Sequence, residues 1–455
     1  DKFYEAMDLF LFTSVFECSP IVIKEAQAWG MPILMYNLHT YRGMTFNTNL
    51  VSFLSNTMDE NCTLLRQQLK IPTTTLYDSK LISSRKLVPD TFHISFVDGA
   101  QIEIKGPSTT QYEVIFTNKD TNNRVYSATI APGCWVRATL AYYVNWEVVV
   151  RNAATGVEIF SHQFDLTNRR AWIRIESRSL GDTLAWFPYV EEFRRKHKCT
   201  VAVSSFWNAL FRAQYPDLEY VEPGEIIPEN YVQYTLGWVF NEDGTLNTNH
   251  HRRDVRFMSL QYTAADILGV PAVEIKPTLG IVRTAPKHRV GIASQSTMQL
   301  KYWNNPNGWN ELVQWLQNNN YEVIQFSQEM APFMGNPNPI GSVQLSNNEI
   351  SSVMNEMASC AFFVGLNSGL TWLAWALGIP TFSIEGAVSY ALMPTDIIKI
   401  ESQQTVCREC FSRYQFRKDI WDWCPDHQND SQKFECTTSI SSAEVIAKIK
   451  QILCL

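Results

Sequence analysis

From residue 171 to the C-terminus, short apolar runs alternate with longer amphipathic stretches, and this rhythm constrains the fold more than any other feature. The runs include "AWIRIES", "CTVAVSS", "HRVGIAS" and "CAFFVGLN", with helical patterns such as "GWNELVQWLQNNN" between them. Strands and helices in alternation fold as parallel sheets covered by helices. We therefore predict an α/β protein with two doubly wound, Rossmann-like domains, at 171–285 and 286–455.

The first 170 residues have a different texture, and at 455 residues the chain is too long for a single core. Between 91 and 170, alternating runs such as "WEVVVRN" are separated by turn residues about every ten positions, which indicates a small antiparallel β domain. Residues 46–90 are polar and patternless, as in a connector. Residues 1–45 follow the order strand, helix, strand, which predicts one βαβ element.

Charge and hydropathy exclude several classes of partner. The net charge is −7, and the 38 lysines and arginines are spread along the chain. This gives no basic patch for nucleic acid or an anionic membrane surface. No apolar run approaches the ~20 residues of a membrane span, and the start, "DKFYEAMDLF", lacks a basic signal-peptide region. We predict a cytoplasmic protein without a membrane span, whose sequence begins inside a longer polypeptide.

Three turns that follow predicted strands carry polar residues suited to chemistry, because ligands of open α/β sheets gather at the carboxyl ends of the strands. Asp182 follows "WIRIES" at a helix start, where it is either a cleft carboxylate or simply an N-cap. Lys301 follows "HRVGIAS", as an anion-binding or a solvated lysine. Ser368 and Gly369 follow "CAFFVGL" and begin a helix whose N–H groups suit a phosphate, although many such turns simply pack.

Four of the ten cysteines are clustered near the C-terminus, at Cys407, Cys410, Cys424 and Cys436. Their spacing suits four thiolates around one tetrahedral ion, and both zinc and iron accept sulfur ligands. Disulfides and inert thiols are the alternatives. An ion held by four protein ligands has no open coordination position, so we predict a structural role. The other six cysteines are scattered, as expected of reduced thiols.

Read together, "SLGDTLAWFPYVEEF", "KYWNNPNGW", "GLNSGLTWLAWALGIP" and "CREC" with "FEC" resemble the bacterial autotransporter heptosyltransferases over residues 91–455. The resemblance implies a two-Rossmann glycosyltransferase fold and inverting transfer of heptose from ADP-heptose to serine hydroxyls of an autotransporter adhesin. It also implies iron in the four-cysteine finger, no catalytic divalent metal, and a homo-oligomer. The alternatives are a lipopolysaccharide heptosyltransferase and a non-catalytic assembly subunit.

The resemblance also assigns roles to individual residues. Asp182 matches the catalytic aspartate, which would act as general base on the acceptor hydroxyl. Lys301 matches the lysine that meets the donor's phosphates. The remaining donor-side residues are the diphosphate-facing turn and three polar neighbours: Ser368, Gly369, Leu370, Thr297, Gln299 and Asn304. Lipopolysaccharide relatives carry an aspartate immediately before the turn, whereas this chain has Asn367, so no acidic role is transferred there.

The first 45 residues resemble a different group, the C-terminal tail of retaining nucleotide-sugar transferases. Glu17 and Glu25 match two glutamates that bracket a donor site, but Cys18 replaces the usual glycine after the first. The opposing Rossmann domain is missing. We interpret the segment as a remnant of an upstream glycosyltransferase, with a chance βαβ element as the alternative.

Overall fold

The computed structural model describes residues 10–12, 33–36, 51–54 and 89–454, except 228, 284–285, 330, 346–348 and 418. The chain divides into two compact units, Asp1–Val88 and Pro89–Leu455. Among the described residues, no helix combines the length and the apolar character that crossing a membrane requires.

The N-terminal unit contains a parallel sheet of three described strands, in the order β1 (Phe10–Phe12), β2 (Ile33–Tyr36) and β3 (Val51–Leu54). The first two coincide with the apolar runs predicted to flank a helix. The third lies inside the region predicted as a connector. This strand was not predicted from the sequence, because its four-residue run "VSFL" is too short to show a strand periodicity. Glu17, Cys18 and Glu25 lie outside the described residues.

Antiparallel β structure is present where the sequence predicts it, and it consists of two sheets. One has the order β4-β5-β8, and the other has the order β10-β9-β6-β7. In the central strands, alternate side chains are buried. Examples are Val114 and Phe116 on one strand and Val148 and Val150 on its neighbour. The strands are β4 (Thr91–Ser95), β5 (Ala100–Lys105), β6 (Tyr112–Asn118), β7 (Asn123–Ile130), β8 (Trp135–Ala138), β9 (Trp146–Asn152) and β10 (Glu158–Gln163).

The next four strands form the first parallel sheet of the α/β region, in the order β13-β12-β11-β14. Central β11 places Ala171, Ile173 and Ile175 in the core that it shares with the long helix α1. The strands are β11 (Arg170–Ile175), β12 (Thr200–Ser205), β13 (Glu219–Val221) and β14 (Val232–Leu236), and the helices are α1 (Leu180–His197), α2 (Asn208–Phe211) and α3 (Leu260–Leu268).

The second parallel sheet has six strands in the order β17-β16-β15-β18-β19-β20. Its central strands are buried on both faces, which explains their continuous apolar runs. The strands are β15 (Arg289–Ala293), β16 (Glu322–Gln325), β17 (Val343–Gln344), β18 (Phe362–Leu366), β19 (Thr381–Ile384) and β20 (Ile398–Ile400). The helices are α4 (Gly308–Asn318), α5 (Ile350–Ala358), α6 (Gly369–Ala376), α7 (Cys410–Arg413), α8 (Glu435–Thr438) and α9 (Ser442–Leu453).

Candidate active site

Asp182 lies in the first turn of α1, immediately after central strand β11. The N-cap is Ser179, whose Oγ accepts a hydrogen bond from the backbone N–H of Asp182 at 3.4 Å. Asp182 is therefore not the cap, and its half-buried carboxylate accepts a hydrogen bond from Ser177 Oγ at 2.6 Å. A carboxylate at this end of a helix is stabilised by the helix dipole.

The first turn of α1 packs against the first turn of α6, and two glycines permit the approach. A Cβ at Gly369 would lie 3.0 Å from Cβ of Leu180 and 3.2 Å from the backbone nitrogen of Gly181. A Cβ at Gly181 would lie 3.2 Å from the Trp372 ring. The contact brings the Asp182 turn, from the first sheet, beside the Ser368–Leu370 turn, from the second.

The start of α6 offers hydrogen-bond donors to an anion. Ser368 is the N-cap, in extended conformation (φ −148°, ψ 169°), and its side chain makes no capping bond. Its Oγ is buried and has no hydrogen-bond partner among the described residues. The first backbone N–H groups of a helix also have no partner within it. An orphaned hydroxyl beside these groups fits the predicted diphosphate site.

Lys301 ends a short 3₁₀ turn, Gln299–Lys301, in the segment after β15. Its Nζ lies 5.0 Å from the ring centroid of Phe411 and 5.8 Å from that of Phe416. Cation–π contacts of this kind contribute about 0.5–2 kcal/mol. Both rings belong to residues 407–438, the cysteine-rich segment, which carries the four clustered cysteines. That segment therefore positions the predicted phosphate-binding lysine.

The three polar neighbours predicted for the donor differ in their surroundings. Asn304 donates through Nδ2 to the carbonyl oxygens of Gln299 and Tyr302, at 3.1 and 3.0 Å, and to Thr437 Oγ1 at 3.0 Å. Gln299 donates through Nε2 to Asn304 Oδ1 at 2.5 Å. The structure thus gives both amides internal partners that fasten the Lys301 turn to the cysteine-rich segment. Thr297 is exposed.

The four clustered cysteines are free thiols, with Cys410, Cys424 and Cys436 buried and Cys407 half-buried. The pKa of the Cys436 thiol is raised to about 12, first by burial and then by the other three thiols nearby. Four neighbouring thiols, three of them buried, are a donor set that fits iron or zinc. Among the described residues, no group of three or more metal-ligating side chains is positioned to hold an ion, so the four-cysteine metal finger stays a prediction.

The cysteine-rich segment also packs on the turn that follows β19. The backbone N–H groups of Glu409 and Phe411 donate to the carbonyl oxygens of Gly386 and Ala387, at 3.1 and 3.0 Å. A Cβ at Gly386 would lie 3.0 Å from Sγ of Cys436. The segment therefore contacts both the Lys301 turn and the end of β19. Both of these lie on the side of the protein predicted to bind the donor.

Glu385 is a buried carboxylate that sequence reasoning missed. It directly follows β19, is only 2% exposed, and accepts hydrogen bonds from Ser383 Oγ at 2.5 Å and from Asn367 Nδ2 at 3.2 Å. Its pKa is raised to about 7, chiefly by burial and to a smaller extent by Glu401, while the two hydrogen bonds and the nearby Lys399 oppose the shift. A glutamate between an apolar strand and a glycine is typical of an exposed loop, so the sequence around Glu385 did not indicate that this residue is buried.

The raised pKa of Glu385 predicts a pH-dependent stability. Because the folded protein holds a proton that the unfolded chain releases near its ordinary value of 4.5, folding stability is lost as the pH rises through about 7. We expect Glu385→Gln to gain about 2 kcal/mol of stability relative to wild type between pH 5 and pH 8. Urea unfolding at both pH values measures this. An equal difference between the two proteins at both pH values would show that Glu385 does not titrate in this range.

A cavity of about 460 Å³ lies at the carboxyl ends of β11, β12 and β13. Its lining includes Trp172, Glu176 and Glu225, together with Phe206 and Ile226, which are 44% and 85% exposed. Glu176 directly precedes Ser177, the hydrogen-bond partner of Asp182. The cavity therefore lies near the Asp182 turn.

Comparison with known proteins identifies the group. The sequence pattern of glycosyltransferase family 9 (heptosyltransferase) matches residues 254–418. An autotransporter heptosyltransferase of Citrobacter rodentium is 30% identical over 378 residues, 80% of this chain and 90% of the relative. The chain belongs to the autotransporter heptosyltransferase family. The family resemblance and the assignment to the glycosyltransferases, both predicted from the sequence, are confirmed.

Solved structures of this family share the fold. The crystal structure of TibC from enterotoxigenic Escherichia coli, described as an iron-containing dodecameric glycosyltransferase, has a TM-score of 0.73 and 28% identity, covering 80% of this chain and 96% of that one. TibC in complex with ADP-D-beta-D-heptose has a TM-score of 0.72 at 27% identity, with the same coverage. The predicted α/β glycosyltransferase fold is confirmed.

The family also contains a member described as inactive. The inactive autotransporter heptosyltransferase BimC of Burkholderia thailandensis is 26% identical over 371 residues, 78% of this chain and 85% of the relative. Activity must therefore be argued from the residues of each member's site.

Proposed function

We propose that this autotransporter heptosyltransferase moves heptose from ADP-heptose to serine hydroxyls of an adhesin, with inversion at the anomeric carbon. The observation that carries the proposal is the contact at Gly181 and Gly369, which brings the first turn of α1, where Asp182 lies, beside the Ser368–Leu370 turn. In the proposal, a base from the first sheet and an anion site from the second face one cleft. This is the arrangement required when a hydroxyl attacks a sugar carbon that carries a diphosphate.

Asp182 acts as the general base in this proposal. The serine oxygen forms a bond to the anomeric carbon and its proton moves to the carboxylate, while the bond between that carbon and the diphosphate oxygen breaks. Attack from the face opposite the diphosphate inverts the configuration. Ser177 donates to one carboxylate oxygen at 2.6 Å and so orients the group. The cavity beside this turn would receive the acceptor chain, with 171–285 as the acceptor-side domain.

The second domain, 286–455, would hold ADP-heptose. The electron pair released from the sugar carbon ends on the departing ADP, and Lys301 and the N–H groups at the start of α6 stabilise its charge without a catalytic metal. Ser368, Gly369 and Leu370 form this anion site in the proposal. Thr297, Gln299 and Asn304 stay predictions as donor neighbours, the latter two acting at least partly through the Lys301 turn.

Cys407, Cys410, Cys424 and Cys436 would hold one structural iron, with zinc as the other candidate. The four thiols supply the whole coordination shell, so the ion would fix the segment that carries Phe411 and Phe416 against Lys301. The eight described cysteines are all free, which supports a reducing compartment, the bacterial cytoplasm. TibC is dodecameric, and we extend homo-oligomer formation, without a subunit number, to this chain.

Replacement of Lys301 by alanine should weaken donor binding and turnover together, because one charge serves both the bound ADP-sugar and the departing diphosphate. A lost charge-assisted hydrogen bond corresponds to roughly 10- to 100-fold in the Kd for ADP. Calorimetric titration with ADP measures the change. Lys105→Ala, in an exposed pair with Glu103 of the β domain, is the matched control and should bind like wild type. An effect on acceptor affinity alone would place Lys301 on the wrong side of the cleft.

The proposed function is tested by incubating the purified protein with ADP-heptose and an adhesin passenger fragment. ADP should appear in proportion to the acceptor, and the nucleoside diphosphate sugars of other bases should not react. Tight ADP-heptose binding without any ADP release in the presence of acceptor would favour the non-catalytic alternative, for which BimC is the precedent.

A further inference from the structure

The register of the second sheet places two polar residues side by side beneath the donor-facing turn. Strands β18 and β19 are parallel neighbours, and Leu366 pairs with Ile384 at their carboxyl ends. The next residue on each strand is Asn367 and Glu385, so both follow the sheet at the same level. Nδ2 of Asn367 donates to Oε2 of Glu385 at 3.2 Å.

Asn367 is also the residue directly before the N-cap Ser368, so its side chain sits at the root of the turn that would face the diphosphate. Glu385, only 2% exposed, lies beneath it. Its other oxygen accepts from Ser383 Oγ at 2.5 Å. The carboxylate is thus fixed by the strand and in turn fixes one side chain of the turn.

The charges around the pair come from β20 and the residue that follows it. Lys399, which is 9% exposed, attracts the carboxylate, whereas Glu401 repels it. Glu385 and Glu401 are already close together. An aspartate at position 367 would place a third carboxylate directly against Glu385, and either this new carboxylate or Glu385 would then have to take up a proton. The amide at this position avoids that conflict because it donates.

We propose that Glu385 is a positioning residue, which acts through Asn367 to hold the Ser368–Leu370 turn in the geometry that binds the donor's diphosphate. The inference rests on the proposed function, since it concerns the same donor site. It assigns Glu385 no contact with substrate and no proton transfer. Asparagine at 367 and glutamate at 385 act as one donor–acceptor unit.

Reciprocal exchange of the two groups tests the unit, with ADP as the probe in calorimetric titration of the full chain. Asn367→Asp places two carboxylates together and should weaken ADP binding by roughly tenfold or more. Glu385→Gln keeps an accepting oxygen and should stay within about threefold of wild type. The double variant, Asn367→Asp with Glu385→Gln, restores one donor facing one acceptor and should recover wild-type affinity to within about threefold.

Steady-state kinetics separates positioning from a general loss of structure. Asn367→Asp should raise the KM for the ADP-sugar and leave the KM for the acceptor unchanged. Ser383→Ala is the matched control, because it removes the other partner of the same carboxylate and leaves the Asn367 contact intact. It should lower thermal stability and keep ADP affinity within about threefold of wild type.

Two results would overturn the inference while leaving the proposed function standing: wild-type ADP affinity in Asn367→Asp, or no recovery in the double variant. A wild-type protein that does not bind ADP would refute the proposed function and this inference with it. If Asn367→Asp lost affinity by unfolding, a second substitution at its partner would not restore it, so recovery in the double variant points to the contact between the two side chains.

Discussion

Asp182→Asn should abolish measurable sugar transfer and leave the affinity for ADP unchanged. A general base contributes roughly 10²–10⁴ in rate, and asparagine keeps the size of the side chain and an oxygen for the Ser177 hydroxyl while losing the ability to take a proton. Because the base acts on the acceptor, the donor should bind as before. Single-turnover transfer to an adhesin fragment, with ADP titration alongside, measures both quantities.

Ser177→Ala provides the control for orientation. It removes the hydrogen bond to Asp182 and keeps the carboxylate, so its transfer rate should fall far less than that of Asp182→Asn. Near wild-type turnover in Asp182→Asn would remove the aspartate from the mechanism. If both variants lost the same fraction of the transfer rate, the geometry of the turn would limit the rate, and proton transfer to Asp182 would not.

Each single change of Cys407, Cys410, Cys424 or Cys436 to serine should reduce the bound metal to near zero and unfold the C-terminal segment. Metal binding at a four-thiolate site is coupled to local folding and is worth on the order of 10 kcal/mol. Elemental analysis of protein purified without chelator measures the metal, and limited proteolysis measures the folding. ADP affinity should fall as well, because Phe411 and Phe416 would leave Lys301.

Cys360→Ala is the matched control for these variants. Cys360 is a buried free thiol between α5 and β18, remote in sequence from the cluster, so its loss should cost some core packing and no metal. A wild-type protein without bound iron or zinc, or a serine variant that retains its metal, would show that the four thiols are structural cysteines only. Adding divalent metal to the intact protein should not raise its rate.

The sequence predicted the parts of this fold that depend on local pattern. The alternating β-domain runs and the buried β15 and β18 follow from residue periodicity, and the structure has strands at those places. The Gly-Asp turn was predicted as a helix start, but Ser179 and Asp182 are both residue types that cap helices, and spacing alone cannot choose between them. The hydrogen bond that settled the choice is visible only in the structure.

The missed features all depend on contacts between distant segments. Lys301 lies near Phe411 and Phe416, more than a hundred positions later in the chain, and Glu385 is buried only because β19 runs between β18 and β20. Neither environment leaves a periodic signal. Gly386 likewise looks like a simple turn glycine, although Cys436 occupies the space of its absent side chain.

The most direct test of the proposed function is intact-mass and peptide mass spectrometry of an autotransporter adhesin co-expressed with this protein in cells that make ADP-heptose. With the wild-type chain, the passenger should gain mass in whole heptose units located on serine residues, and with Asp182→Asn it should gain none, although both proteins accumulate and bind ADP equally. An unmodified passenger beside folded, ADP-binding wild-type protein would contradict the proposed transferase activity, and heptose transferred equally by Asp182→Asn would contradict the role of its base.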